Sequence, residues 1–495
     1  MEKFEENCDI LESEQLGRFM VARRDIARGQ QILLEQPVVV GPYWDSDICC
    51  LNCYGRSCTV CRKCRKAPLC QNCPGHDLIE CEFYRDSPVD KNFLFNHFHV
   101  ITPVRCLLVA ARDRKTFDEV MKMEAHMDAR RGTEIWAMHE KYVVRPLLEG
   151  GAFGKFSHLD VGEDDLQRVC GIFDVNAFEI RGSWDGEGVS LKNNVIRGLY
   201  PKTALITHGC VTNTMISVDN NYNLRLYATV PIGKDDMMLY NYTRCLFGTP
   251  DRREHLLKGK YFICSCRRCQ DPTELGTHLS SIRCTKNKQC DGLSSYHESN
   301  AKWECNKCGG VLESDYAQQV TADAKNDILN CTPTIENLEK LISKHSDKLN
   351  PSHSLVLEAK QLLAGELRRV CHSPAELCRS LRQTQASKLK ICEEILLILR
   401  ILEPGISRLT GIALYEYNTA LWEISKMDYG ESKIDERGLL KHLESIESGL
   451  KESISMLLLE HPSTPEGQLT RKAMQDLKII RTELVEIRKT VVVNS

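Results

Sequence analysis

Tyr261-Phe262-Ile263-Cys264-Ser265-Cys266-Arg267-Arg268-Cys269-Gln270-Asp271-Pro272-Thr273-Glu274 crowds three cysteines, Cys264, Cys266 and Cys269, into one short run. Outward from it, the chain holds 25 cysteines in 495 residues, and most of them are clustered. Nine fall between Cys49 and Cys81, four between Cys284 and Cys308, and the rest stand singly. The start, Met-Glu-Lys-Phe-Glu-Glu, has no apolar leader, and no stretch approaches the roughly 18 to 20 apolar residues that cross a bilayer. An intracellular protein with no membrane association is therefore expected. In a reducing compartment disulfides explain such clusters poorly, whereas thiolates at C-x2-C spacing explain them as zinc ligands.

At 42% hydrophobic residues the chain can bury more than one core, and two or three units are expected. A net charge of -3 gives no global field for wrapping nucleic acid, so direct nucleic-acid binding is not expected. No compact basic run of the nuclear-import type occurs, which leaves nucleus and cytoplasm both open.

Residues 16 to 42 read as short strands, because the turn at Ala27-Arg28-Gly29-Gln30 separates the apolar runs Phe19 to Ala22 and Ile32 to Val40. An apolar helix is expected around Phe93 to Ala111, with strands near Gly171 to Ile180 and Asn223 to Val230. From about Asp315 the period becomes helical. Leu439, Leu443, Ile446, Leu450, Ile454 and Leu457 mark one core-facing stripe. Asn350-Pro351-Ser352-His353, Glu403-Pro404-Gly405-Ile406 and His461-Pro462-Ser463-Thr464 each follow an apolar helix and open another, which suggests stacked hairpins resembling tetratricopeptide repeats.

The pairs Cys50/Cys53, Cys61/Cys64 and Cys70/Cys73, followed by His76 and Cys81, supply eight donors, enough for two tetrahedral ions. The segment is too short for its own hydrophobic core, so metal must supply its folding free energy. Cys49 and Cys58 compete as ligands. Farther on, Cys284, Cys290, Cys305 and Cys308 read as a small zinc ribbon.

Four motifs in order carry a resemblance: Gly198-Leu199-Tyr200-Pro201, Thr207-His208-Gly209-Cys210-Val211-Thr212-Asn213, Asn241-Tyr242-Thr243, and the opening run from Tyr261 to Glu274. Their order and separations are similar to those of SMYD proteins, in which a SET domain is interrupted by a MYND zinc module. The ribbon after Glu274 resembles the arthropod SmydA branch. The fold implied is α+β: a SET β-fold split by MYND, a post-SET zinc site and an all-α C-terminal domain. Its boundaries are 1-48 for the first part of SET, 49-81 for MYND, 82-170 for a helical insertion and 171-245 for the SET core. Residues 246-312 then form the post-SET and ribbon segment, and 313-495 the helical domain.

The resemblance also implies roles. The first and third MYND pairs share one zinc, Cys50, Cys53, Cys70 and Cys73. The second pair shares another with the terminal ligands, giving Cys61, Cys64, His76 and Cys81. Cys210 joins Cys264, Cys266 and Cys269 around a structural post-SET zinc. Tyr242 matches the catalytic tyrosine. Gly17, Arg18, Asn176, Thr207, His208, Tyr242 and Phe262 match positions that contact S-adenosylmethionine, Phe262 by packing on adenine.

The implied activity is methylation of a lysine on a histone or other protein, by a chain expected to be monomeric, with a proline-rich peptide as partner of MYND. Departures favour a second reading. Thr207 stands where the family has asparagine, Gly209 where it has serine, Asp235 where a glycine begins a turn, and Phe19 where the first loop has its second glycine. A chain weakened in cofactor binding would act instead as a transcriptional corepressor-like adaptor.

Overall fold

The computed structural model describes residues 4–44, 46–57, 59–154, 160–181, 195–371 and 381–493. Cys58 lies outside them. After a single helical turn, Phe4–Asn7, come four strands: β1 (Cys8–Ser13), β2 (Gly17–Ala22), β3 (Gln31–Glu35) and β4 (Val39–Pro42). β1 and β2 form an antiparallel hairpin whose turn ends at Gly17, with φ +62°. The sequence reading anticipates β2 to β4 but not β1. Ile10 and Leu11 are both exposed, so β1 shows no alternation to read.

Helix α1 (Leu78–Asp86) follows the cysteine-rich segment, and α2 (Ile101–Arg112) supplies the anticipated apolar helix. Helix α3 (Glu163–Asn176) occupies the start of the stretch read as a strand, and only β5 (Phe178–Arg181) is extended there. Asn176 is thus the last residue of a helix. Its amide donates to the carbonyls of Ile172 (2.9 Å) and Glu124 (2.8 Å).

The remaining SET-like strands are β6 (Val195–Leu199), β7 (Thr207–His208), β8 (Thr214–Val218), β9 (Leu224–Ala228) and β10 (Leu239–Tyr240). β4-β6-β5 and β8-β9-β3 are three-stranded antiparallel sheets. Asp219 builds the β8–β9 turn by accepting the backbone N–H groups of Asn221 and Asn223, an Asx turn. β7 and β10 run parallel, with Thr207 opposite Leu239 and His208 opposite Tyr240. Two motifs 34 residues apart, His208 and Tyr242, are thereby laid side by side.

The MYND-like segment has no separate core. Cys50, Leu51, Tyr54, Ala67 and Leu69 are buried in one cluster with Phe83, Leu94, Val104 and Ile196. Helix α4 (Thr249–Lys260) ends at Tyr261 in a left-handed conformation, φ 62°, which turns the chain so that Phe262 and the three cysteines run back towards Cys210. A small four-stranded antiparallel sheet, residues 282–312, carries the ribbon cysteines.

Among the described residues seven helices follow: α5 (Ser314–Leu329), α6 (Ile335–Ser346), α7 (Ser354–Cys371), α8 (Leu381–Leu402), α9 (Arg408–Gly430), α10 (Glu436–Leu457) and α11 (Pro465–Val493). Each of the last five packs on its predecessor. The anticipated stripe on α10 is buried at Leu439, Leu443, Ile446, Leu450 and Leu457, and Ile454 is half-buried beside it. Pro351, Pro404 and Pro462 fall in the links α6–α7, α8–α9 and α10–α11. The middle link docks on the sheet. Ile406 N–H donates to Thr229 O (2.9 Å), and a Cβ on Gly405, at φ +85°, would stand 2.0 Å from that oxygen. No helix among the described residues is long and apolar enough to cross a membrane.

Candidate zinc centres and candidate active site

Four tetrads bring their donor atoms within 4.8 Å of one another: Cys50/Cys53/Cys70/Cys73, Cys61/Cys64/His76/Cys81, Cys210/Cys264/Cys266/Cys269 and Cys284/Cys290/Cys305/Cys308. Sulfur separations of 3.7 Å for Cys53–Cys70, 3.8 Å for Cys61–Cys81, 3.9 Å for Cys210–Cys264 and 3.6 Å for Cys290–Cys305 identify the chemistry. A disulfide would be about 2.05 Å. Zinc–sulfur bonds of about 2.3 Å give a tetrahedral edge of about 3.8 Å. The donor sets therefore fit zinc, with four protein ligands each and no open position. Cys49 is buried but belongs to none of them.

In the second tetrad His76 Nε2 faces Cys64 Sγ at 3.5 Å, while Nδ1 lies 2.8 Å from Glu80 Oε2. The carboxylate fixes the tautomer that presents Nε2 to a metal. Arg105 on α2 holds Glu80 in turn and also donates to the carbonyls of Val40 and Leu51. Neither Glu80 nor Arg105 is marked by the cysteine pattern.

Around the post-SET tetrad, Arg252 and Arg268 are both fully buried and share Glu274 Oε2 at 2.6 and 3.3 Å. Arg252 also donates to Cys269 Sγ (3.4 Å), and Arg268 to Cys210 O (3.4 Å). Zinc with four thiolates carries two net negative charges, and two guanidiniums beside it compensate what water cannot reach.

His208 joins this tetrad to the tyrosine. Its Nε2 lies 3.3 Å from Cys210 Sγ, and its Nδ1 accepts the Tyr242 backbone N–H at 3.1 Å. A neutral imidazole with its proton on Nε2 satisfies both, and burial pulls its pKa down to about 4. Its ring stands 5.2 Å from Tyr242 and 5.8 Å from Phe262, centroid to centroid. The Tyr242 hydroxyl donates to Ile206 O, and burial raises its pKa. Thr207 Oγ1 and Asn241 Nδ2 flank the pair, both buried and without a hydrogen-bond partner among the described residues.

The structure thus gathers Thr207, His208, Tyr242 and Phe262. Gly17 and Arg18 are exposed at the start of β2 and share none of these contacts, and the Asn176 amide is spent on the helical carbonyl of Ile172 and the loop carbonyl of Glu124. Asp235 keeps the left-handed backbone, φ 69°, that a glycine would adopt there. Lys260 was not marked by the sequence: its Nζ lies 5.7 Å from the Tyr242 ring centroid. A cavity of about 930 Å³ is lined by Tyr240, Asn241 and Thr243, the chain neighbours of Tyr242 but not Tyr242 itself, by His255 of α4, and by Leu355 and Ile406 of the helical region.

No protein-family model matches the chain. SmydA-8, isoform B, a SET domain-containing protein of Drosophila melanogaster, is 28% identical over 390 residues, 73% of this chain and 81% of that protein. A SET and MYND domain-containing protein of Dictyostelium discoideum is 21% identical over 344 residues, 58% of this chain and 88% of its own. N-lysine methyltransferase SMYD2-A of Xenopus laevis is 28% identical over 81 residues, 16% of this chain and 19% of its own. The chain is thus similar to SET and MYND domain proteins, the SmydA-8 protein of Drosophila melanogaster among them, and its four cysteine-rich tetrads and the pairing of His208 with Tyr240 accompany that similarity.

Proposed function

We propose that the chain is a protein-lysine methyltransferase that uses S-adenosylmethionine. The observation that carries this is the convergence of His208, Tyr242 and Phe262 beside the post-SET tetrad. The unpartnered Thr207 hydroxyl and Asn241 amide offer hydrogen bonds to a polar heterocycle, and Phe262 offers a face for stacking, so the residues present fit an adenosine. When bound, S-adenosylmethionine supplies a methyl group on a sulfonium.

The chain's residues do the rest. Because the Tyr242 proton is engaged by Ile206 O, the phenol oxygen is left as an acceptor that orients an incoming amine. A substrate lysine, with a pKa near 10.4 in water, loses its proton more readily where burial disfavours charge. Holding amine and methyl in line removes much of the entropic barrier. The cavity between α4 and the helical region takes the lysine-bearing segment of the substrate protein, a histone or another protein. The MYND segment contributes a proline-rich partner, the chain acts as a monomer, and it resides in the nucleus or cytoplasm.

A second reading, a corepressor-like adaptor, rests on the departures at Thr207, Phe19 and Asp235, Thr207 standing where the family has asparagine. Titration of the zinc-loaded chain with S-adenosylmethionine, followed by transfer of a labelled methyl group to candidate proteins, separates the two. An adaptor needs neither.

A further inference from the structure

Lys260 closes α4, and its side chain reaches across to the end of α3. Its Nζ donates to the carbonyls of Asp174 (3.1 Å) and Val175, in the last turn of that helix, while facing the Tyr242 ring. A cation on helix-terminal carbonyls is an ordinary cap. That role accounts for two of the three ammonium hydrogens and leaves open why the nitrogen sits against the proposed catalytic tyrosine. Burial lowers its pKa to about 8, against the opposing pull of Asp174. A neutral amine has two N–H bonds and one lone pair. A deprotonated Lys260 could keep both carbonyl bonds through its two N–H groups and still hold a lone pair for attack.

We propose that Lys260 is a methyl acceptor within its own chain. This rests on the methyltransferase reading above. The Lys260 nitrogen forms a bond to the methyl carbon of S-adenosylmethionine as the carbon–sulfur bond breaks. The bonding pair leaves with sulfur, S-adenosylhomocysteine is the product, and the amine gives up one proton to solvent. A methylated neutral amine retains a single N–H, so one of the two carbonyl bonds is lost. The modified side chain is then held less tightly over Tyr242.

The test incubates the full-length, zinc-loaded protein with methyl-deuterated S-adenosylmethionine and maps the label by proteolysis and mass spectrometry, with calorimetry on the same sample. One label on the Lys260 peptide is expected, at a per-chain rate independent of protein concentration. The label should be lost in Tyr242→Phe and in Lys260→Arg, which keeps a cation on the carbonyls and should therefore stay folded. A second readout needs no turnover. Acetic anhydride should acetylate Lys260 in the free protein, and bound S-adenosylhomocysteine should protect it. Cofactor binding with Lys260 unlabelled and unprotected would overturn the proposal while leaving the methyltransferase reading intact. A rate that grows with protein concentration would overturn it as well. No cofactor binding at all would overturn both.

Discussion

Arg105 grips Glu80 with two bonds, Nε to Oε1 at 2.8 Å and Nη2 to Oε2 at 3.0 Å, and so holds the imidazole of His76 from behind. The pair is nearly removed from water, and Arg105 also spans to β4 through Val40 O. A zinc module and a β-sheet are tied by one side chain.

Breaking that pair should be costly, because Arg105→Met leaves the Glu80 carboxylate buried without its main partner. A loss of about 3–5 kcal/mol is expected in denaturant unfolding. The second MYND zinc should weaken by about 10- to 100-fold, read by competition with a chelator. Unchanged zinc affinity in a folded variant would show that Glu80 does not need Arg105 to orient His76.

Cys266→Ser removes one ligand of the post-SET tetrad and nothing from the other three. Zinc content should fall from four ions per chain to three. Cofactor binding should be lost with it, because His208 is braced on Cys210 of the same tetrad.

At Thr207 the buried oxygen has no partner, and an asparagine would add an amide that both donates and accepts. Thr207→Asn should tighten S-adenosylhomocysteine binding by about 1–3 kcal/mol, the worth of satisfying a buried polar contact. Calorimetric titration of both proteins measures it.

Gly405 has no room for a methyl group against Thr229 O and has a positive φ. Gly405→Ala should cost about 1–3 kcal/mol by overpacking, with further strain from the left-handed backbone. It should also expose the α8–α9 link to limited proteolysis as the helical region separates from the sheet.

The protonation of Lys260 gives a signed pH dependence. Its folded pKa, near 8, lies below the 10.5 of the unfolded chain. Between those values the unfolded state holds more protons, so stability rises with pH; below about 8 the penalty is complete and flat. Asp174, His126, His255 and Tyr242 are the charged or titratable groups that face it. Neither histidine titrates in that window, since burial lowers both, and burial raises Tyr242 above it. The unfolding free energy of wild type minus that of Lys260→Met should therefore climb as pH rises from 8 to 10.5.

How much of this was legible in the sequence depended on how far each residue's partners lay along the chain. Cysteine pairs announce themselves, because two ligands come from one turn, and the four tetrads follow from spacing together with family resemblance. His208, Tyr242 and Phe262 were legible as motifs. Lys260 was not: its meaning comes from carbonyls 86 and 85 residues away. Glu80 and Arg105 lie 25 residues apart, and no local spacing links them. β1 was invisible because its apolar residues face solvent, and the strand expected from Gly171 starts only at Phe178 because α3 continues through a stretch rich in β-branched and aromatic residues. In that stretch tertiary burial of Val169, Ile172 and Phe173 overrides the strand propensity.

Titration of the zinc-loaded chain with S-adenosylmethionine in a calorimeter tests the central claim most directly. The account predicts saturable binding of one molecule per chain, abolished by Cys266→Ser and retained in Tyr242→Phe, whose defect should appear only in methyl transfer. No heat of binding from a folded protein carrying all four zinc ions would contradict it.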